Sequence, residues 1–161
     1  MLIGLLLIPS AVALADQSYH TERLSLTLTP AGGVAGHTLR NGMVVNIHPN
    51  GPVNGAIENY VLNGAKPNTE YQVSWNISEI AGEPVDPPLE VPTGMVVQTD
   101  KKGNGHCTFK ISYDQQTTMG FHGFDGQVTW LFVVEGGTIE DGIGPGDVIA
   151  FQTEPTHVIV D

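Results

Sequence analysis

A side-chain period of two runs through this chain and commits it to strands. Leu24, Leu26 and Leu28 alternate with Ser25, Thr27 and Thr29, and Tyr71, Val73, Trp75 and Ile77 alternate with Gln72, Ser74, Asn76 and Ser78. Successive side chains of a strand point to opposite faces, so each run offers one face to a core and the other to water. Residues Val128 to Val134 are apolar at almost every position, the mark of a central strand covered on both faces. Met43–Ile47, Ile57–Leu62, Met95–Thr99, Val148–Phe151 and Val158–Val160 complete the set. No stretch long enough for a helix carries an apolar stripe of period 3.6.

Turn chemistry punctuates these runs at Pro30-Ala31-Gly32-Gly33, Pro49-Asn50-Gly51-Pro52, Asn63-Gly64 and Gly103-Asn104-Gly105, and the last reads as a hairpin. Ala81 to Pro92 carries Pro84, Pro87, Pro88 and Pro92, which bars it from the interior of a sheet and suggests an exposed crossover. Eight or nine short strands without helices give an all-β, antiparallel sandwich or barrel.

Charge narrows the partners. Among 161 residues, 6 Lys and Arg face 17 Asp and Glu, a formal net charge of -11. Nucleic acid is excluded, because binding it needs a basic stripe to displace counterions. From Ile111 onward there are eight acids and no Lys or Arg. Residues 1–15 are uncharged and apolar and end in Ala13-Leu14-Ala15, the small-x-small pattern of a signal-peptide cleavage site. That run is too short to span a bilayer. The expectation is a signal peptide over 1–15 and a single domain over 16–161, secreted to an extracellular or periplasmic space and not membrane-spanning. Cys107 is the sole cysteine, so no intramolecular disulfide forms, and its alternation with Phe109 and Ile111 makes it a buried thiol.

Leu62-Asn63-Gly64-Ala65-Lys66-Pro67-Asn68-Thr69-Glu70-Tyr71-Gln72-Val73 resembles the corner before a late strand in fibronectin type III and related immunoglobulin-like domains. The resemblance implies an immunoglobulin-like or fibronectin III-like β-sandwich. Leu62, Pro67, Thr69, Tyr71 and Val73 would then take the corner positions, and the Tyr71 hydroxyl would bond back to the backbone. It implies no activity.

Three constellations bear on chemistry. Gly144-Pro145-Gly146-Asp147-Val148-Ile149 followed by Pro155-Thr156-His157 resembles the second motif of cupins, and His122 falls near the first. A transition metal on His122 and His157 would be short of ligands, because Phe124 and Thr129 stand where that motif supplies a His and a Glu. Glu135, Glu140, Asp141 and Asp147 form an acidic, glycine-punctuated segment that would hold Ca2+ weakly or be a solvated loop. Tyr60 and Tyr113 are the aromatic rings expected outside, whereas Trp75 and Trp130 fall inward by alternation. Gly-x-Ser-x-Gly does not occur, and nothing pairs two carboxylates as acid and base. The sequence therefore suggests a non-catalytic, secreted or cell-surface module for adhesion or recognition of a protein or glycan, without a cofactor. A degenerate cupin-like metal-binding protein and a carbohydrate-binding module are the alternatives.

Overall fold

The computed structural model describes residues 19–49, 56–118, 123–136, 143–144 and 146–160. Among them two antiparallel sheets face one another as a sandwich. The first has the order β1-β3-β4-β7 and the second β2-β9-β8-β5-β6, with β10 also paired to β8. In chain order the strands are β1 (Tyr19–Ser25), β2 (Thr27–Leu28), β3 (Asn41–Pro49), β4 (Ala56–Asn63), β5 (Glu70–Ile80), β6 (Glu83–Gln98), β7 (Gly105–Ile111), β8 (Asp125–Val134), β9 (Val148–Gln152) and β10 (Thr156–Ile159). Two short helices, α1 (Pro30–Val34) and α2 (Tyr113–Thr118), lie in connections.

The strongest alternations form the centre. Tyr71, Val73, Trp75 and Ile77 of β5 all point into the core, and β8 is buried on both faces from Val128 to Val133, as its unbroken apolar run requires. Elsewhere the chain departs from the simple pattern for identifiable reasons. Leu24, Leu26 and Leu28 do not share one face. The chain leaves the first sheet after Ser25, buries Leu26, and joins the second sheet through Thr27↔Gln152 and Leu28↔Phe151, which leaves Leu28 42% exposed. Thr29 then caps α1 by accepting from the Gly32 N–H, and α1 lies against β9.

The proline-rich stretch is not a crossover. It is the first half of β6, a 16-residue strand at the margin of the second sheet that pairs on one side with β5. An edge strand needs donors toward one neighbour only, so it tolerates prolines that a central strand would reject. The Asn104-Gly105 turn does not close a hairpin either. It carries the chain from β6 in the second sheet to β7 in the first. Asp100 Oδ1 accepts the backbone N–H groups of Lys102 and Asn104 there, which fixes the reversal. Local turn chemistry sets that a chain reverses, not which sheet it enters.

Candidate functional site

The inner face of the first sheet carries a polar row where apolar residues would be expected. Glu22 of β1, Asn46 of β3 and Glu58 of β4 stand in register with one another, and Phe109 of β7 continues the row. Asn46 is 1% and Glu58 3% exposed. The Asn46 amide nitrogen donates to Glu22 Oε2 at 3.4 Å, so the row runs from the sheet margin into the core.

Three neutral donors converge on Glu58 Oε2. They are the Tyr60 hydroxyl, the Trp75 indole N–H at 3.3 Å and the Trp130 indole N–H at 3.0 Å. Tyr60 lies two residues along β4 on the same face, and Trp75 and Trp130 are register partners on the facing sheet. The carboxyl thereby ties the two sheets together. Burial pushes it up to about 7, against the pull of the three hydrogen bonds, which favour the ionised form. Burial and the adjacent Glu58 charge raise the Tyr60 phenol in turn, so Tyr60 serves as a donor.

A cavity of about 40 Å³ opens beside this carboxyl, between the sheets. Asn46, Glu58, Trp75 and Trp130 form its inner wall, and Phe124, Val158 and Val160 line the side where slight solvent exposure remains. None of the six Lys and Arg side chains lies inside the protein: Arg23, Arg40, Lys66, Lys101, Lys102 and Lys110 are all exposed.

At the other end of the sandwich the segment from Leu62 to Val73 connects β4 to β5, the step from the first sheet to the second, midway along the chain and not before a late strand. Leu62, Tyr71 and Val73 are buried, Pro67 is exposed and Thr69 is half-buried. The Tyr71 hydroxyl shares a hydrogen bond with His37 Nδ1 at 3.1 Å. Burial lifts the phenol above its ordinary value, while hydrogen bonds from the Lys66 backbone and the Thr69 side chain draw it down. His37, buried against Tyr71 and Phe151, is held below its ordinary value by burial and then by the Lys66 charge.

This end is stapled to the β6–β7 turn. The Ala65 N–H donates to Gly103 O, the Asn68 N–H to Asp100 O, and the Thr99 hydroxyl to Lys66 O. The Arg40 N–H donates to Asn63 O alongside. Four of the six cationic residues, Arg40, Lys66, Lys101 and Lys102, are thus gathered on one set of tied connections.

The remaining sequence candidates lie only partly among the described residues. His157 Nε2 sits 2.9 Å from Asp125 Oδ1, with both side chains 53% exposed, while His122 lies outside the described residues. Asp147 spends both oxygens on its own loop, accepting the Gly136 N–H at Oδ1 and the Gly144 N–H at Oδ2, each at 2.8 Å. Those bonds, Gly144's first, hold its carboxyl below the usual range. Glu135 and Asp147 line a shallow cavity of about 20 Å³ with Glu90. Glu140 and Asp141 lie outside the described residues. Among the described residues no three His, Cys, Asp or Glu side chains are placed to hold one metal ion.

Trp75 and Trp130 are interior, as alternation requires, and Cys107 is half-buried. Tyr60, expected outside, has no exposure at all. The Tyr113 side chain lies outside the described ones. The Tyr60 error and the unforeseen Glu58 have one cause. In Ile57-Glu58-Asn59-Tyr60-Val61-Leu62, Ile57 and Val61 look like the core face, but the strand turns Glu58, Tyr60 and Leu62 inward. A shift of one residue exchanges the two faces completely. No family model matches this chain, and it matches neither a curated protein nor a solved structure.

Proposed function

We propose that the chain is a secreted, non-catalytic recognition module of immunoglobulin or fibronectin III type that docks an acidic partner through the end bearing Arg40, Lys66, Lys101 and Lys102. Lettering β3 to β9 as A, B, C, C′, E, F and G puts A-B-E in one sheet and C′-C-F-G in the other, a division related to that of immunoglobulin domains. Sandwiches of this kind recognise partners with end loops held by a rigid scaffold.

The observation that carries the reading is the concentration of four of six cations on connections tied by backbone hydrogen bonds, in a chain of net charge -11. Such a chain repels acidic surfaces as a whole, so a local cationic set selects the orientation in which one is met. The class of partner is an extracellular polymer or protein presenting clustered carboxylates or sulfates.

Binding of a polyuronate, a sulfated polysaccharide and a neutral glucan to the immobilised protein tests this. The expected result is retention of the anionic polymers only, weakening with salt and lost in the double variant Lys101→Glu, Lys102→Glu. Equal binding of the neutral polymer, or retention unchanged by the double variant, would overturn it. So would a lack of retention of both anionic polymers at low salt.

A further inference from the structure

Among the described residues Glu58 is a buried acid without a cationic partner. The groups around it are Tyr60 on its own strand, Asn46 on β3 with Glu22 beyond it on β1, and Trp75 and Trp130 on the facing sheet. From β7, Phe109 is its register partner and Cys107 is that of Tyr60. None of these bears a fixed positive charge, and every lysine and arginine of the chain is exposed.

Taking an ionised carboxylate out of water with only neutral donors is costly. It then keeps a proton or acquires a counter-ion from outside. Space for one lies beside it: the cavity of about 40 Å³ exceeds the roughly 10–15 Å³ that a water-sized occupant needs. It is far below the roughly 300 Å³ of an ordinary small-molecule pocket.

We propose that this cavity binds the ammonium head of a primary amine, with Glu58 as its counter-ion. The chemistry of the walls selects that class. An ammonium group directs N–H donors at a carboxylate, and the large apolar bodies of Trp75 and Trp130 in the wall exclude water from that contact. A hard metal cation asks instead for about six or more oxygen ligands, and the wall residues bearing side-chain oxygen are Asn46 and Glu58. The apolar side formed by Phe124, Val128, Val158 and Val160 gives the first methylenes of an alkylammonium a surface to cover. Free ammonium and an amine on a larger molecule share this head group, and chain length separates them. The site lies at the opposite end of the sandwich from the cationic connections and is independent of what they bind.

The test is a titration of the full chain at pH 8 in amine-free buffer at constant ionic strength, read by tryptophan fluorescence, since both tryptophans donate to Glu58. The probes are ammonium, methylammonium, ethylammonium, n-butylammonium, tetramethylammonium, sodium and potassium. The expected order is n-butyl, ethyl, methyl, ammonium, with each methylene tightening binding roughly three- to fourfold. Sodium, potassium and tetramethylammonium should give no saturable change.

Binding should weaken about tenfold per pH unit below the ionisation of the carboxyl, because the proton competes. It should disappear in Glu58→Gln. If that variant fails to fold, calorimetry of the wild type at pH 6 in two buffers of different ionisation enthalpy reads the proton released on binding. Absence of saturable amine binding at pH 8, an equal response to sodium or potassium, or binding without proton release would each overturn the proposal. Ammonium binding without a gain along the alkyl series would overturn the preference for a primary amine.

Discussion

Replacing Glu58 by glutamine should change the pH dependence of stability in a defined direction. In the folded protein this carboxyl ionises at about 7, against an ordinary value of 4.5 that the unfolded chain retains. Between those values the folded state holds a proton that the unfolded state has released. The stabilisation is therefore complete below about pH 4.5, falls as pH rises, and is spent once pH passes about 7. At about 1.4 kcal/mol per pH unit the whole interval is worth roughly 3 kcal/mol, a large share of the ~5–15 kcal/mol that holds a domain together.

Glutamine keeps the shape and an acceptor oxygen for Tyr60, Trp75 and Trp130 but does not titrate. Urea unfolding of both proteins at half-unit steps from pH 4.5 to 8 in phosphate and acetate, free of amines, isolates the effect, because every other ionisation cancels in the difference. The wild type should match the variant within about 1 kcal/mol near pH 4.5 and fall behind by about 3 kcal/mol by pH 8. That corresponds to a relative loss of about 1–2 M in urea midpoint at a slope of ~2 kcal/mol/M. A difference that stays flat across this range, or opens with the wild type gaining as pH rises, refutes the buried-acid reasoning.

Two further substitutions probe the stapled end. Gly103 has φ +77, and a β-carbon there would lie 2.0 Å from Ala65 O, so Gly103→Ala should lower stability by about 2–3 kcal/mol. Thermal unfolding checks it, and an unchanged midpoint would show that the two connections are not tied. Tyr71→Phe removes the hydroxyl bonded to His37 Nδ1 and should cost about 1–2 kcal/mol in urea unfolding. A loss below the error of the measurement would mean that the hydroxyl is better satisfied in the unfolded chain.

What could be read in advance depended on how one-sided each strand is. β5 and β8 were legible from their own side chains: Tyr71, Val73, Trp75 and Ile77 have no rival apolar face, and Val128 to Val134 is broken only by Thr129. Leu28 was misplaced because period two holds only while a strand stays in one sheet, and this chain changes sheets at Leu26. β6 was masked by its prolines, since edge position is a property of the assembled sheet and not of the segment. Glu58 was hidden for a different reason. Burying a carboxylate is expensive in isolation, and its compensation comes from Trp75 and Trp130, which lie far along the chain. Around His157 the partner that the structure shows, Asp125, comes through strand pairing and not through spacing, so the motif alone could not name it.

The prolines of β6 also bear on what happens when many copies of this molecule meet. A sheet grows across molecules when an open margin presents amide hydrogens and carbonyls in alternation to an incoming strand. From Pro84 to Pro92, four backbone positions have no amide hydrogen to offer. Successive residues direct their amides to opposite sides of a strand, so each of these prolines that faces outward denies an arriving strand one donor and weakens edge-to-edge growth along that stretch. The margin reopens after Gly94, where Val96 is 41% exposed and no proline follows within the strand. In a crowded solution resistance to cross-β stacking then hangs on a few residues, and exchanging an outward-facing proline of this stretch for threonine would extend the vulnerable length.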